Sequence, residues 1–162
     1  MKKLILIVLI LFFNIPVCYA IIEGQDNHGT LTTDQLVLGY ISINDNAHTV
    51  RKIYGTPSSI ITKGGLEYYY GSAFYIYFYS EDGENIAEIT TIANNGIKTA
   101  DGIHVGMPEG ILNKTYGTPS YKKQEGAETK YWYYGYESNN WKYLQFTIRN
   151  GKIIKISLCW VD

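Results

Sequence analysis

Few residues in this chain combine a reactive type with a spacing that chemistry requires. His28, His48 and His104 lie far apart, and none stands at a metal-ligand spacing. His104 alternates with Ile103 and Val105, which points its ring toward solvent. Glu81, Asp82 and Glu84 cluster at one turn, and Glu125 and Glu128 flank another. Carboxylates at turns are ordinarily solvated, and a calcium site needs more oxygen ligands in ordered positions. The sequence holds no Gly-x-Ser-x-Gly elbow, phosphate loop or Cys–His pair. Cys159 sits in Ser157-Leu158-Cys159-Trp160, a strand-like run, and reads as a buried, inert thiol. These residues predict no enzyme, no metal and no cofactor.

The chemistry the sequence does offer is recognition by aromatic side chains. Sixteen residues are Tyr. In Phe74-Tyr75-Ile76-Tyr77-Phe78-Tyr79, alternate side chains of a strand point to opposite faces. Phe74, Ile76 and Phe78 form an apolar face, and Tyr75, Tyr77 and Tyr79 form the other. A second strand puts Leu144, Phe146 and Ile148 inside and Trp141, Tyr143, Gln145 and Thr147 outside. Tyr68 to Tyr70 and Tyr131 to Tyr134 add more rings, and the sequence leaves open which of them face out. The candidate contact set is Tyr75, Tyr77, Tyr79, Trp132, Tyr134, Trp141 and Tyr143. A contiguous exposed aromatic patch marks an interaction site, and Tyr and Trp are common interface anchors. Scaffolding is the competing reading, because Tyr favours strands and cross-strand aromatic pairs stabilise sheets.

The elements that carry these strands occur twice. Tyr54-Gly55-Thr56-Pro57-Ser58 returns 62 residues later as Tyr116-Gly117-Thr118-Pro119-Ser120. The same offset aligns Ile41 with Ile103, Ile43 with Val105, Val50 with Leu112 and Lys52 with Lys114. Tyr69-Tyr70-Gly71 matches Tyr133-Tyr134-Gly135 at an offset of 64, and Phe78 and Gly83 match Phe146 and Gly151 at 68. Each copy opens with a short helix. Asn44 or Asp45 caps the first, with Val50 and Ile53 facing inward. Gly106-Met107-Pro108-Glu109 starts the second, with Ile111, Leu112 and Thr115 inward. Gly55 and Gly117 stop the helices in a left-handed conformation, and Pro57 and Pro119 forbid continuation. Strands follow at about 59–63, 66–71, 73–80 and 85–92, then at 120–125, 129–135, 141–149 and 152–160. Gly64-Gly65, Glu81-Asp82-Gly83 and Asn150-Gly151 are the hairpin turns, so neighbouring strands run antiparallel. The predicted fold is α+β: two tandem repeats, 33–95 and 96–162, each a helix or helix pair on a four-stranded antiparallel sheet. Thr33-Asp34-Gln35-Leu36 starts a further short helix, and Asn94-Asn95-Gly96 turns between the repeats; no flexible linker separates them, so the two sheets are expected to abut or merge.

The run from Gly102 through Gly106-Met107-Pro108-Glu109 to Ile111, then Tyr116-Gly117-Thr118-Pro119, Tyr131-Trp132-Tyr133-Tyr134, Leu144-Gln145-Phe146 and Asn150-Gly151-Lys152, resembles one repeat of the β-lactamase-inhibitor-protein-like group. Small outer-membrane assembly lipoproteins of the SmpA/OmlA type share that fold. The resemblance covers residues 33–160 twice over, with Asn44-Asp45-Asn46 replacing Gly-Met-Pro in the first copy. It implies a protein-binding or envelope-assembly role, but fold alone does not fix function. The family's inhibitors carry two scaffold disulfides, which this chain lacks, and that argues against inhibition of the same enzyme.

Residues 1–20 read as a signal peptide: Lys2 and Lys3, the apolar run Leu4 to Phe13, and Cys18-Tyr19-Ala20 before a cut. Residues 21–32 read as a loose segment. Cleavage after Ala20 takes the formal net charge from −1 to −3, because it removes two lysines and no acid. No basic stripe remains, which speaks against a nucleic-acid partner. A membrane enters only if Cys18 is lipidated. The functional expectation is an exported, extracytoplasmic protein-binding module. The alternatives are a tethered envelope-assembly component and a glycan binder, the latter using Asn139, Asn140 and Gln145 beside Trp141.

Overall fold

The computed structural model defines residues 31–62, 64–137 and 140–160. The expected signal peptide, Cys18, Asn139 and most of the loose segment lie outside these residues. Among the described residues no helix is long and apolar enough to cross a membrane.

Chain order begins with a 3-10 turn at Thr33–Gln35, then a small hairpin of β1 (Val37–Leu38) and β2 (Ile41–Ser42). Helix α1 (Ala47–Tyr54) precedes β3 (Ser59–Ile61), β4 (Leu66–Tyr70), β5 (Phe74–Phe78) and β6 (Ile86–Thr91). Helix α2 (Gly110–Tyr116) precedes β7 (Tyr121–Glu125), β8 (Glu128–Glu137), β9 (Asn140–Arg149) and β10 (Lys152–Trp160). The fold is α+β, as expected, but the eight long-sheet strands do not divide into two four-stranded sheets. They form one antiparallel sheet in the order β3-β4-β5-β6-β10-β9-β8-β7. The join is a four-residue ladder, Glu88 to Thr91 on β6 against Ile156 to Cys159 on β10. Pairing the last strand of each set satisfies backbone groups that two separate sheets would leave open.

Turn residues set the hairpins. Asn150 and Gly151 both have positive φ, 52° and 69°, the pattern that two-residue hairpins require. The β1–β2 hairpin was not expected from sequence. It turns at Gly39 and Tyr40, at φ 65° and 66°, and Tyr carries no turn signal.

Both helices cover the same face of the sheet, over Phe74, Ile76, Phe78, Leu144, Phe146 and Ile148, all buried. The first helix begins later than expected. Its cap is Asn46, whose Oδ1 accepts from Thr49 N at 3.0 Å, while Asp45 accepts from Ser42 N. Ile53 does not face inward but is 42 % exposed. Val50 and Tyr54, one turn apart, fill the inner stripe instead, and the Tyr54 ring packs 5.0 Å from Phe74. In α2 the buried residues are Leu112 and Tyr116, with Ile111 and Thr115 half-buried. Pro108 precedes the helix and bridges Lys152, so α2 is shorter than its start signal suggested.

Gly55 and Gly117 end the helices in nearly one conformation, φ/ψ 78°/−154° and 74°/−150°. This is not the left-handed helical region but an extended positive-φ region reserved for glycine. Tyr70 and Tyr133 then donate to the Gly55 and Gly117 carbonyls. Register settles the open parities. Tyr68 pairs Ile76 and Tyr131 pairs Phe146, so Tyr68, Tyr70, Tyr131 and Tyr133 lie on the helix face, and Tyr69, Trp132 and Tyr134 lie on the open one.

Candidate functional site

The face of the sheet that carries no helix can be read row by row from the register. One row runs Glu67, Tyr77, Glu88, Cys159, Tyr143, Tyr134. The next runs Ser59, Tyr69, Tyr75, Thr90, Ser157, Gln145, Trp132, Tyr121. Trp141 and Tyr136 pair beyond the first row. Six of the seven sequence-predicted residues, Tyr75, Tyr77, Trp132, Tyr134, Trp141 and Tyr143, share this face and are half-buried. Tyr79 lies past the end of β5 at 46 % exposure, with its ring edge-on to Trp160 at 6.3 Å. The register shift opposite Tyr77 and Phe78 leaves Ala87 of β6 as the extra residue, while β5 keeps its alternation through Phe78. Thr147, expected outside, has the right parity but is buried.

The rings gather in two groups. On β8 and β9, Tyr134 meets Trp141 at 6.5 Å and Tyr143 at 5.7 Å, both edge-on, and Tyr136 meets Trp141 at 5.1 Å. Trp132 packs against Tyr121 at 5.0 Å. On β4 and β5, Tyr69 and Tyr75 lie 5.8 Å apart, and Tyr77 donates to the Gly64 carbonyl at 3.0 Å. Burial pushes the Tyr143 phenol up from its ordinary value, with Cys159 beside it adding to the shift.

Between the groups runs a polar seam that the sequence reading missed. The Thr90 and Ser157 hydroxyls meet across the β6–β10 junction at 2.6 Å, and both residues are fully buried. Glu88 Oε1 accepts from Thr90, from Ser157 at 3.2 Å and from Lys155 Nζ at 3.5 Å. Lys155 also donates to Tyr75 OH at 3.5 Å. Burial acts to lower the Lys155 ammonium, but Glu88 and Tyr75 outweigh it and hold it above the usual range. The Cys159 thiol is pushed up to about 12, by burial first and by Glu88 second. The signal was present in the alternation Glu88, Thr90 and Lys155, Ser157, Cys159. Its meaning depends on a strand pairing distant in sequence.

Thr90, Ser157 and Lys155 hydrogen-bond to Glu88 Oε1 within the seam, and the raised pKa of its thiol favours the protonated form. A nucleophile needs a depressed pKa or an adjacent base. Across the open face the side chains run aromatic, polar, aromatic. Among the described residues no group of three or more His, Cys, Asp or Glu side chains is placed to hold a metal ion. His104 is half-buried, with Nδ1 2.9 Å from its neighbour's carbonyl, Val105 O.

No family model and no curated protein matches the chain. Among solved structures, a DUF4309 family protein (YjgB) from Bacillus subtilis subsp. subtilis str. 168 is similar, at 16% identity. The match covers 74% of this chain and 82% of that one, with a TM-score of 0.47.

Proposed function

We propose that this chain is an exported, non-catalytic module that binds another extracytoplasmic protein through the open face of its sheet. The observation that supports the reading is the pair of half-exposed Tyr/Trp groups flanking the Glu88–Lys155 seam. A half-buried antiparallel sheet ordinarily turns polar side chains to water. Tyr and Trp offer large contact area at low entropic cost, and a central one is worth roughly 2 kcal/mol or more in an interface. The seam supplies orientation, since a charged pair fixes register more than it adds affinity. The test is affinity capture from the extracytoplasmic fraction with wild type and with Tyr75, Tyr77, Trp141 and Tyr143 changed to Ala. A partner recovered by wild type and lost in the variant supports the proposal, and equal recovery rejects it.

The tandem-repeat architecture belongs to the same proposal. Several parallels support it. Ala47 N donates to Gly83 O as Glu109 N donates to Gly151 O. Ser58 Oγ accepts from Gly71 N as Ser120 Oγ accepts from Tyr134 N. Register shifts fall at matching places, next to Ile86 on β6 and Ile153 on β10. These fit the kinship to β-lactamase-inhibitor-protein-like repeats that the sequence motifs imply. Export rests on residues 1–20, and mass spectrometry of the mature N-terminus tests it. A chain beginning at Ile21 fits a free protein, whereas a lipidated Cys18 fits a tethered envelope component.

A further inference from the structure

The helix side of the sheet holds a cleft of about 510 Å³ beside α2, with Glu109, Asn113, Pro119, Tyr131 and Tyr133 among its walls. The same place in the first half of the molecule is occupied by the protein itself. There the Arg51 guanidinium lies 4.9 Å over the Tyr68 ring. Backbone geometry makes the comparison direct. Gly55 N donates to Arg51 O as Gly117 N donates to Asn113 O, so Asn113 stands where Arg51 does. Tyr131 stands where Tyr68 does, by strand register. Asn113 is several atoms shorter than arginine, and its side chain has no cation to offer the ring. The acid content changes too. Glu109 occupies the position of Ala47 and accepts from Tyr131 OH, placing a carboxylate at the cleft wall.

We infer that this cleft binds a guanidinium group, the arginine side chain of a protein partner. The aromatic floor is kept, the internal arginine is missing, and a carboxylate has been added. Arginine pairs with carboxylates and stacks on aromatic faces, which are the two features present. Lys122 Nζ, 4.8 Å over the Tyr131 ring, comes from the edge strand β7, where the first half has Ile60. Its charge opposes an incoming cation and weakens the site without filling the cleft. The comparison of the two halves rests on the repeat reading above, but the site lies on the side of the sheet opposite the aromatic face, so failure of partner binding at that face leaves it untouched.

The test titrates the full mature protein with Nα-acetyl-arginine methylamide and follows backbone amides by NMR. Saturable shifts are expected at Gly110, Asn113 and Gly151, and none with the neutral citrulline counterpart. Asn113→Arg supplies the missing side chain internally and abolishes the shifts. Glu109→Gln weakens binding by roughly two- to fivefold, the worth of an exposed ion pair, and Lys122→Ile strengthens it. Equal shifts with citrulline, no saturable shifts with arginine, or shifts that survive Asn113→Arg in a folded protein would each overturn the assignment.

Discussion

Two glycines show how local chemistry stops the helices. At Gly55 and Gly117 a Cβ would meet nothing within 4 Å, so space is not what forbids a side chain there. The backbone forbids it, since φ near +75° with ψ near −150° is strained for any other residue. Gly55→Ala and Gly117→Ala are each expected to cost roughly 1–3 kcal/mol in urea unfolding, without loss of compactness. The sequence marked both positions correctly as stops, because glycine followed by proline two residues on has few other uses. It mistook the conformation, which a motif does not encode. Cys159 gives a second residue-scale outcome. With its thiol held up near 12 by burial and Glu88, it stays protonated at pH 8. The expected full burial of Cys159 is not met, since the residue is half-buried on the open face, and the raised pKa is what protects it. Thiol-reactive dye should label the native protein many-fold more slowly than the urea-denatured protein at pH 8, and equal rates would contradict the raised pKa.

At the scale of elements, tyrosine divides between the two faces, and pH reports the division. Burial pushes Tyr54, on α1, up to about 12, with Tyr40 and Tyr70 adding to it. Burial does the same to Tyr133 on β8, with Tyr131 and Glu109 adding to it. An unfolded tyrosine titrates near ~10. The folded state therefore prefers the protonated phenol. That stability is complete below pH ~10 and is lost as pH rises toward 12. Tyrosinate absorbance should rise in two phases, the later one coinciding with loss of the near-UV circular dichroism signal. A single phase near pH 10 with the fold intact contradicts it. Strand positions and turns were legible because Gly64-Gly65, Gly83 and Asn150-Gly151 punctuate the chain. Parity was legible in β5, where one face is wholly apolar, and in β9, where Leu144, Phe146 and Ile148 mark the inner face although the buried Lys142 shares it. It was not legible in β4 and β8, where tyrosines occupy both faces and only pairing with β5 and β9 tells them apart. The β1–β2 hairpin escaped because Tyr40 sits at a positive φ that its side chain does not advertise.

At the scale of the whole molecule, the β6–β10 ladder decides the behaviour. It merges the strands that follow α1 with those that follow α2 into one sheet over one core cluster. A shared core unfolds as a unit. All three tryptophans lie in the second half, at 132, 141 and 160. Their fluorescence is nonetheless expected to change at the same urea concentration as far-UV circular dichroism, which reports both halves. Separated midpoints contradict a single cooperative sheet. The ladder joins residues about 67 apart in sequence, which is why the seam of Glu88, Thr90, Lys155 and Ser157 stayed hidden in the alternation of its own strands. The seam also changes the candidate surface from a continuous aromatic sheet to two aromatic groups held around a fixed polar centre. The most direct measurement of its role places a photo-crosslinking amino acid at Tyr75, Trp132 or Tyr143, with His48 and Lys52 on the exposed side of α1 as controls, in the full chain within its own cells. Discrete protein adducts from the three sheet positions and none from the helix positions are the predicted result. Adducts absent from the sheet positions, or equal from both sides, would contradict the account.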